Sequence, residues 1–312
     1  MRILYLTTPE EDYLQDQMLI GLRKIYEKQL VDFPKKDVMY ETCTKSGADL
    51  YGNGFTIWKI LPDIEIDRSD VLKNVESNSH DFQTIIFGSI WRQLDYFEQF
   101  KHANVFAKKN VRFCFIDGQD HSRIFCPSLK YGEYYKRELR RPFTRFFVNK
   151  IGFSIPSIKI RSSLLGKKKT FATHVQCEEA YKIEEIKRNC KMKYAFNDEI
   201  AYYEDIAISR YGITMKKGGW DCMRHYELAA NGTVPCFYQL SKKPKHCAPH
   251  GLVDLENVIT FNSAEELTDK IDHANRSGMY SSLQANAMNW AKQNSCESIA
   301  EKLICDLNIN LS

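Results

Sequence analysis

Tyr211-Gly-Ile-Thr-Met-Lys-Lys-Gly-Gly-Trp-Asp-Cys-Met-Arg-His-Tyr-Glu-Leu-Ala-Ala-Asn-Gly-Thr-Val-Pro235 is the stretch on which the reading of this chain turns. Its start reads as a strand, Gly218-Gly219 as a turn, and 221–230 as a helix that Asn231-Gly232 stops before a strand at 234–238. Strand, turn and helix in that order aim backbone N–H groups and the positive end of a helix dipole at one place. A diphosphate fits such a place. Arg224, one turn inside the helix, suits a bidentate contact to phosphate, and Glu227 suits a pair of ribose or sugar hydroxyls. Lys216 and Lys217 add positive charge, while Trp220 and His225 complete the expected set. A helix that served only packing would rarely carry Arg224, His225, Tyr226 and Glu227 in a row, because these cover more than one face.

Outward from this segment, strand and helix patterns alternate along the chain. Strands are expected at 2–7, 30–33, 84–87 and 111–116, with helices at 13–29, 69–76 and from 93. Leu14, Met18, Leu22 and Ile25 mark the apolar face of the first helix. The second half repeats the scheme, with strands at 170–175, 193–196, 211–214, 234–238 and 258–261 and helices at 178–189, 200–208 and 221–230. From Ser263 onward the chain reads as helical, opened by the capping box Ser263-Ala-Glu-Glu266. Such alternation implies an α/β fold with parallel sheets. At 312 residues the length suits two domains, placed at 1–165 and 166–312.

The segment 217–235 resembles the donor-site segment of GT-B glycosyltransferases, in particular the exostosin-like kind with Arg, then Glu, then Gly, then a small residue and Pro. The resemblance implies two Rossmann-like domains facing across a cleft, with the nucleotide-sugar donor in the second and the acceptor in the first. It further implies Arg224 on the diphosphate, Glu227 on the ribose or donor sugar, and structural roles for Gly232 and Pro235. Many retaining relatives carry two Glu seven apart on this helix, whereas Asp221 and Glu227 here are six apart. The expected reaction moves a hexosyl or pentosyl unit from a nucleotide-diphosphate sugar to an acceptor hydroxyl, with no cofactor. No Asp-x-Asp is present to hold a divalent ion, so Arg, Lys and backbone donors are expected to neutralise phosphate without a metal. A dehydrogenase-like reading is disfavoured because no Gly-x-Gly-x-x-Gly follows the first strand.

Ligands of open α/β sheets bind beyond the carboxyl ends of strands. In the first half that rule selects Phe115-Ile-Asp-Gly-Gln-Asp-His121, whose Asp117, Asp120 and His121 are candidates for the base that deprotonates the acceptor. The loop after Thr7, with Glu10, Glu11, Asp12 and Asp16, is the rival location. Gly88 and Ser89 follow the third strand and are candidates for the acceptor side.

Charge is unevenly spread under the net +4. Residues 101–170 hold 17 basic and 4 acidic groups, interleaved with Tyr131, Tyr134, Tyr135, Phe143, Phe146 and Phe147. Lys136 and Arg137 lie in this block and join the acceptor-side candidates. A basic, aromatic block suits an anionic partner, either a glycan or a nucleic acid such as a hydroxylated base in DNA. Another function class follows from the same block, a non-catalytic nucleic-acid-binding protein. The ten cysteines form no Cys-x-x-Cys pair, which fits reduced cytoplasmic thiols. His246, Cys247 and His250 are close enough in sequence to consider as metal ligands, but no second cluster shows ligand spacing. No apolar run reaches the length of a membrane span, so a soluble cytoplasmic protein is expected.

Overall fold

The computed structural model describes residues 2–108, 110–141 and 146–307. Phe143, one of the aromatics of the basic block, lies outside the described residues. Two compact units divide the chain: residues 1–152 with 296–312, and residues 153–295. The boundary expected near 165 therefore falls inside the second unit, and the last helix belongs to the first.

In the first unit six parallel strands form one sheet in the order β2-β1-β3-β4-β5-β6. They are β1 (Arg2–Leu6), β2 (Leu30–Phe33), β3 (Phe82–Phe87), β4 (Arg112–Asp117), β5 (Glu133–Lys136) and β6 (Asn149–Lys150). The order reverses between β1 and β3, which opens a crevice at their carboxyl ends. β1 is buried along nearly its whole length because helices cover a parallel sheet on both faces. The helices of this unit are α1 (Tyr13–Tyr26), α2 (Val71–Ser77), α3 (Leu94–His102) and, from the end of the chain, the last described helix, Cys296–Asp306. Phe87, Phe97, Phe100, Phe113 and Phe115 supply much of the core.

β5 and β6 are not among the strands expected from the sequence; both fall within the basic, aromatic block 101–170. β5 forms because Lys136, fully buried, pairs with Asp117 on β4 at 2.8 Å. Tyr134 and Tyr135 are buried beside it. The basic block is thus partly interior.

The second unit holds four parallel strands in the order β10-β9-β8-β7. These are β7 (Lys169–Phe171), β8 (Ser209–Met215), β9 (Val234–Tyr238) and β10 (Ile259–Phe261). Its helices are α4 (Glu184–Asn189), α5 (Glu199–Ala207), α6 (Met223–Ala230), α7 (Ala264–Arg276) and α8 (Tyr280–Gln293), which makes Cys296–Asp306 α9. The strand expected at 193–196 does not form. Tyr194 is 48% exposed there and the segment pairs with no strand among the described residues. Ser263 caps α7 by accepting from Glu266 N, as the capping box predicts.

Candidate functional site

In the second unit the sequence 211–235 folds as strand, loop and helix. β8 ends at Met215, residues 216–222 turn, and α6 follows, with Gly232 at φ +67° closing its carboxyl end. Cys222 at the start of α6 makes no side-chain capping hydrogen bond, which is also true of α2, α3, α4 and α8. Neither Gly218 nor Gly219 has positive φ; Gly218 is exposed and Gly219 buried.

Arg224 is half-buried. Its Nη1 donates to the carbonyl of His174, 3.0 Å away in the loop after β7, and its guanidinium lies over the ring of Tyr202 at 5.6 Å. One N–H is thereby fixed and the planar fork is oriented by an aromatic face. Lys216 and Lys217 precede the turn, Lys217 exposed and Lys216 partly so. Glu227 accepts from Tyr202 Oη at 2.5 Å, tying α6 to α5 and leaving its carboxylate 7% exposed as a residue. His174 and Tyr202 were not singled out from the sequence. No local pattern marks them; only the contacts of Arg224 and Glu227 do.

Other members of the expected donor set play an internal role. His225 is fully buried, with Nε2 donating to the Trp220 carbonyl at 3.0 Å and Nδ1 accepting from Thr214 Oγ1 at 2.7 Å. A carbonyl only accepts, so these bonds fix the neutral tautomer with the proton on Nε2. Burial lowers its pKa to about 4. His225 thus holds the 216–222 loop against β8 and does not face a ligand. The Trp220 side chain, 8% exposed, packs with Phe237, Cys247 and Val258. Asp221 accepts from Phe153 N at 2.6 Å and Tyr226 Oη at 2.9 Å, so it anchors the chain. Among the described residues no group of three His, Cys, Asp or Glu is placed to hold a metal ion, the 246–250 segment included.

In the first unit the carboxyl ends of β1, β3 and β4 carry the remaining candidates, and most of them are internal. Asp117 is 1% exposed, and both its oxygens are engaged. It accepts from Trp91 Nε1 at 2.9 Å, Tyr134 Oη at 2.6 Å, Lys136 Nζ at 2.8 Å and Gln119 N at 3.1 Å. A carboxylate so saturated is a scaffold, which removes it as the base. Asp16 is likewise buried, paired with Lys36 at 2.6 Å and with Trp58 Nε1 at 2.9 Å. Burial raises its pKa against the pull of Lys36.

Gly88 sits where a Cβ would meet Tyr5 Oη, Gln15 Cγ and the Leu6 carbonyl, at 2.7 to 2.8 Å. Ser89, fully buried, donates to Asp12 at 2.9 Å. Lys136 is spent on Asp117, and Arg137, 2% exposed, donates to the Gly118 carbonyl at 3.0 Å and pairs with Asp120. All four acceptor-side candidates are therefore internal braces of the strand ends. Asp120 remains half-exposed, held by Arg137. His121 stands edge-on to Trp91 at 5.1 Å, with its Nδ1 buried and unbonded. Burial, reinforced by Lys136, lowers its pKa, so it is a neutral imidazole at neutral pH. Of the residues expected to act on the acceptor, Asp120, although paired with Arg137, and His121 keep a side chain at least partly open to solvent, as does Glu10 in the rival loop, whereas Glu11 there accepts from Tyr51 N at 2.9 Å.

No family model and no curated protein sequence matches the chain. Solved structures do. An Anabaena protein, Alr3699/HepE, in complex with UDP-glucose, matches over 99% of both chains with a TM-score of 0.56 at 11% identity. A glycosyltransferase from Rickettsia africae matches over 98% of this chain and 97% of its own, with a TM-score of 0.60 at 10% identity. The N-terminal domain of Candida albicans trehalose-6-phosphate phosphatase matches over 98% and 96%, with a TM-score of 0.51 at 12% identity. The fold is that of the GT-B glycosyltransferases, two Rossmann-like α/β units, as the resemblance of 217–235 implied.

Proposed function

We propose that the chain is a glycosyltransferase whose second unit binds a nucleoside-diphosphate sugar at the carboxyl end of β8. The observation that carries this reading is Arg224, in the first turn of α6, fixed by the His174 carbonyl and the Tyr202 ring. Arg224, Lys216, Lys217 and the N–H groups of α6 meet the diphosphate, and no metal is needed for that charge. Glu227 takes a ribose or sugar hydroxyl, its lone pairs directed by Tyr202. The Anabaena neighbour was solved with UDP-glucose and with UDP, which makes UDP-hexoses the first donors to test. In the first unit His121, neutral and beside the exposed Asp120, takes the acceptor proton. Burial of Lys136 and Arg137 withdraws two cations from any acceptor, so the case for DNA or an anionic glycan now rests on the exposed part of the basic block alone.

Calorimetric titration with a panel of nucleotide sugars tests the donor assignment. Arg224→Ala should weaken the best donor roughly ten- to a hundredfold, the value of a charged hydrogen-bond pair. Unchanged affinity in that variant, with every donor tried, would remove Arg224 from the site.

A further inference from the structure

At the amino end of the second unit's sheet, three cations come together. Lys167 stands two residues before β7, Arg210 is the second residue of β8, and Arg161 lies in the irregular stretch that leads into β7. Strands rise roughly 3.3 Å per residue, so the start of β8 is about 20 Å from its carboxyl end, where Arg224 stands.

The three are held by the ends of neighbouring helices. Lys167 Nζ donates to the carbonyl of Ala207, the last residue of α5, at 2.8 Å and to Thr233 Oγ1 at 3.5 Å. Arg161 N donates to the carbonyl of Ala230, the last residue of α6, at 3.0 Å. Arg210 lies 3.9 Å over the ring of Tyr280 and gives Nη2 to Asn275 Oδ1 at 2.7 Å. Gln284 closes the arrangement by donating to Tyr280 Oη at 3.3 Å and to the Gly232 carbonyl at 2.7 Å.

No acid offsets these charges. The ionic groups that act on Lys167 are Arg161 and Arg210, and burial together with these two guanidinium groups lowers its pKa to about 8. Asp205 on α5 is paired with Lys169, and Asp272 on α7 with Arg276. The carboxyl ends of α5 and α6 carry about half a negative charge each, roughly one against three positive. The hydrogen-bond donors are in surplus as well. Arg161 Nε and Arg210 Nε are buried without an acceptor, and the Arg161 side chain makes no hydrogen bond or ion pair among the described residues. Buried N–H groups left this way are costly, and native proteins keep few of them.

We propose that Arg161, Lys167 and Arg210 form a second anion site, which takes the phosphate dianion of a small ligand at the amino end of this sheet. The excess of about two charges matches a dianion. Guanidinium N–H groups pair with two phosphate oxygens and the ammonium reaches the third. A carboxylate would neutralise one charge only. The site lies within the second unit and does not depend on the donor assignment.

Thermal unfolding of the full chain in sodium phosphate, against sodium chloride of equal ionic strength, tests it. Phosphate should raise the midpoint and chloride should not. The measurement is made in Arg224→Ala as well as wild type, because a diphosphate site also attracts phosphate, and the rise should persist there. On the Arg224→Ala background, Arg161→Gln should weaken phosphate about tenfold in calorimetric titration, and Arg161→Glu should abolish its binding. Arg161→Gln removes no side-chain bond within the chain, so its midpoint without phosphate should equal or exceed that of its parent as repulsion is relieved. Glucose 6-phosphate separates the sources: a larger rise than inorganic phosphate at equal concentration assigns the site to a phosphate monoester, a smaller one to the free ion. Equal rises in phosphate and chloride, a phosphate effect that disappears in Arg224→Ala, or full phosphate affinity in Arg161→Glu would overturn the proposal. A lowered phosphate-free midpoint in Arg161→Gln would do the same, by making Arg161 a structural brace.

Discussion

At the scale of single residues, His225 ties stability to pH. Its folded pKa, lowered by burial to about 4, lies below the ordinary histidine value near 6.5. Between those values the unfolded chain binds more protons, so the stability of the second unit should be complete above about pH 6.5 and fall as pH drops toward 4. The loss attributable to His225 is on the order of 3 kcal/mol. His174, also held near 4 by burial and by Arg224, acts in the same direction. His225→Leu should flatten this acid limb in unfolding measured at stepped pH, while costing about 1–3 kcal/mol at pH 7.5 because Thr214 and the Trp220 carbonyl lose their partner. An acid limb as steep as wild type would show that His225 is not the group responsible. His121 makes a separate prediction through rate. As a base it must be neutral, so kcat/KM should fall as pH drops through a value below the ordinary 6.5, and His121→Asn should remove that inflection along with most of the activity.

The elements show why some of this was legible in the sequence and some was not. β8, α6 and Gly232 were legible because each is set by local chemistry: an apolar run, a helical pattern and a stop glycine. Gly232→Ala should cost at least about 1 kcal/mol, since φ is +67° and a Cβ there would lie 2.2 Å from Leu164 Cδ2. A thermal midpoint equal to wild type would contradict that contact. β5 was hidden because its stability comes from Asp117 on another strand, 19 residues away from Lys136. Conversely, 193–196 looks like a strand by composition but finds no edge to join. The same division runs through the candidate site. Arg224 was readable from its position behind a Gly-Gly turn, whereas the saturation of Asp117, Asp16 and His225 depends on partners brought in by the fold. A titratable residue at a strand end is as readily a brace as a catalyst, and only its partners distinguish the two.

Across the whole molecule, each unit has an apolar cluster of its own, and the end of the chain belongs to the first unit, where α9 packs on α1. That packing is close at Gly21, where a Cβ would lie 2.1 Å from the Cys296 carbonyl. Separate cores predict separable responses in scanning calorimetry. Gly21→Val should lower the transition of the first unit, because α9 must move away from α1, and Gly232→Ala should lower that of the second. A donor bound at the end of β8 should raise only the second transition, by about 2.7 kcal/mol at a hundredfold excess over its Kd. Its effect should survive in Gly21→Val and shrink in Arg224→Ala at the same donor concentration to about 0.4–1.4 kcal/mol, as a ten- to hundredfold weaker Kd implies. If the donor instead stabilised the transition that Gly21→Val lowers, its binding energy would be reaching the first unit, and the assignment of the donor to the second unit alone would fail.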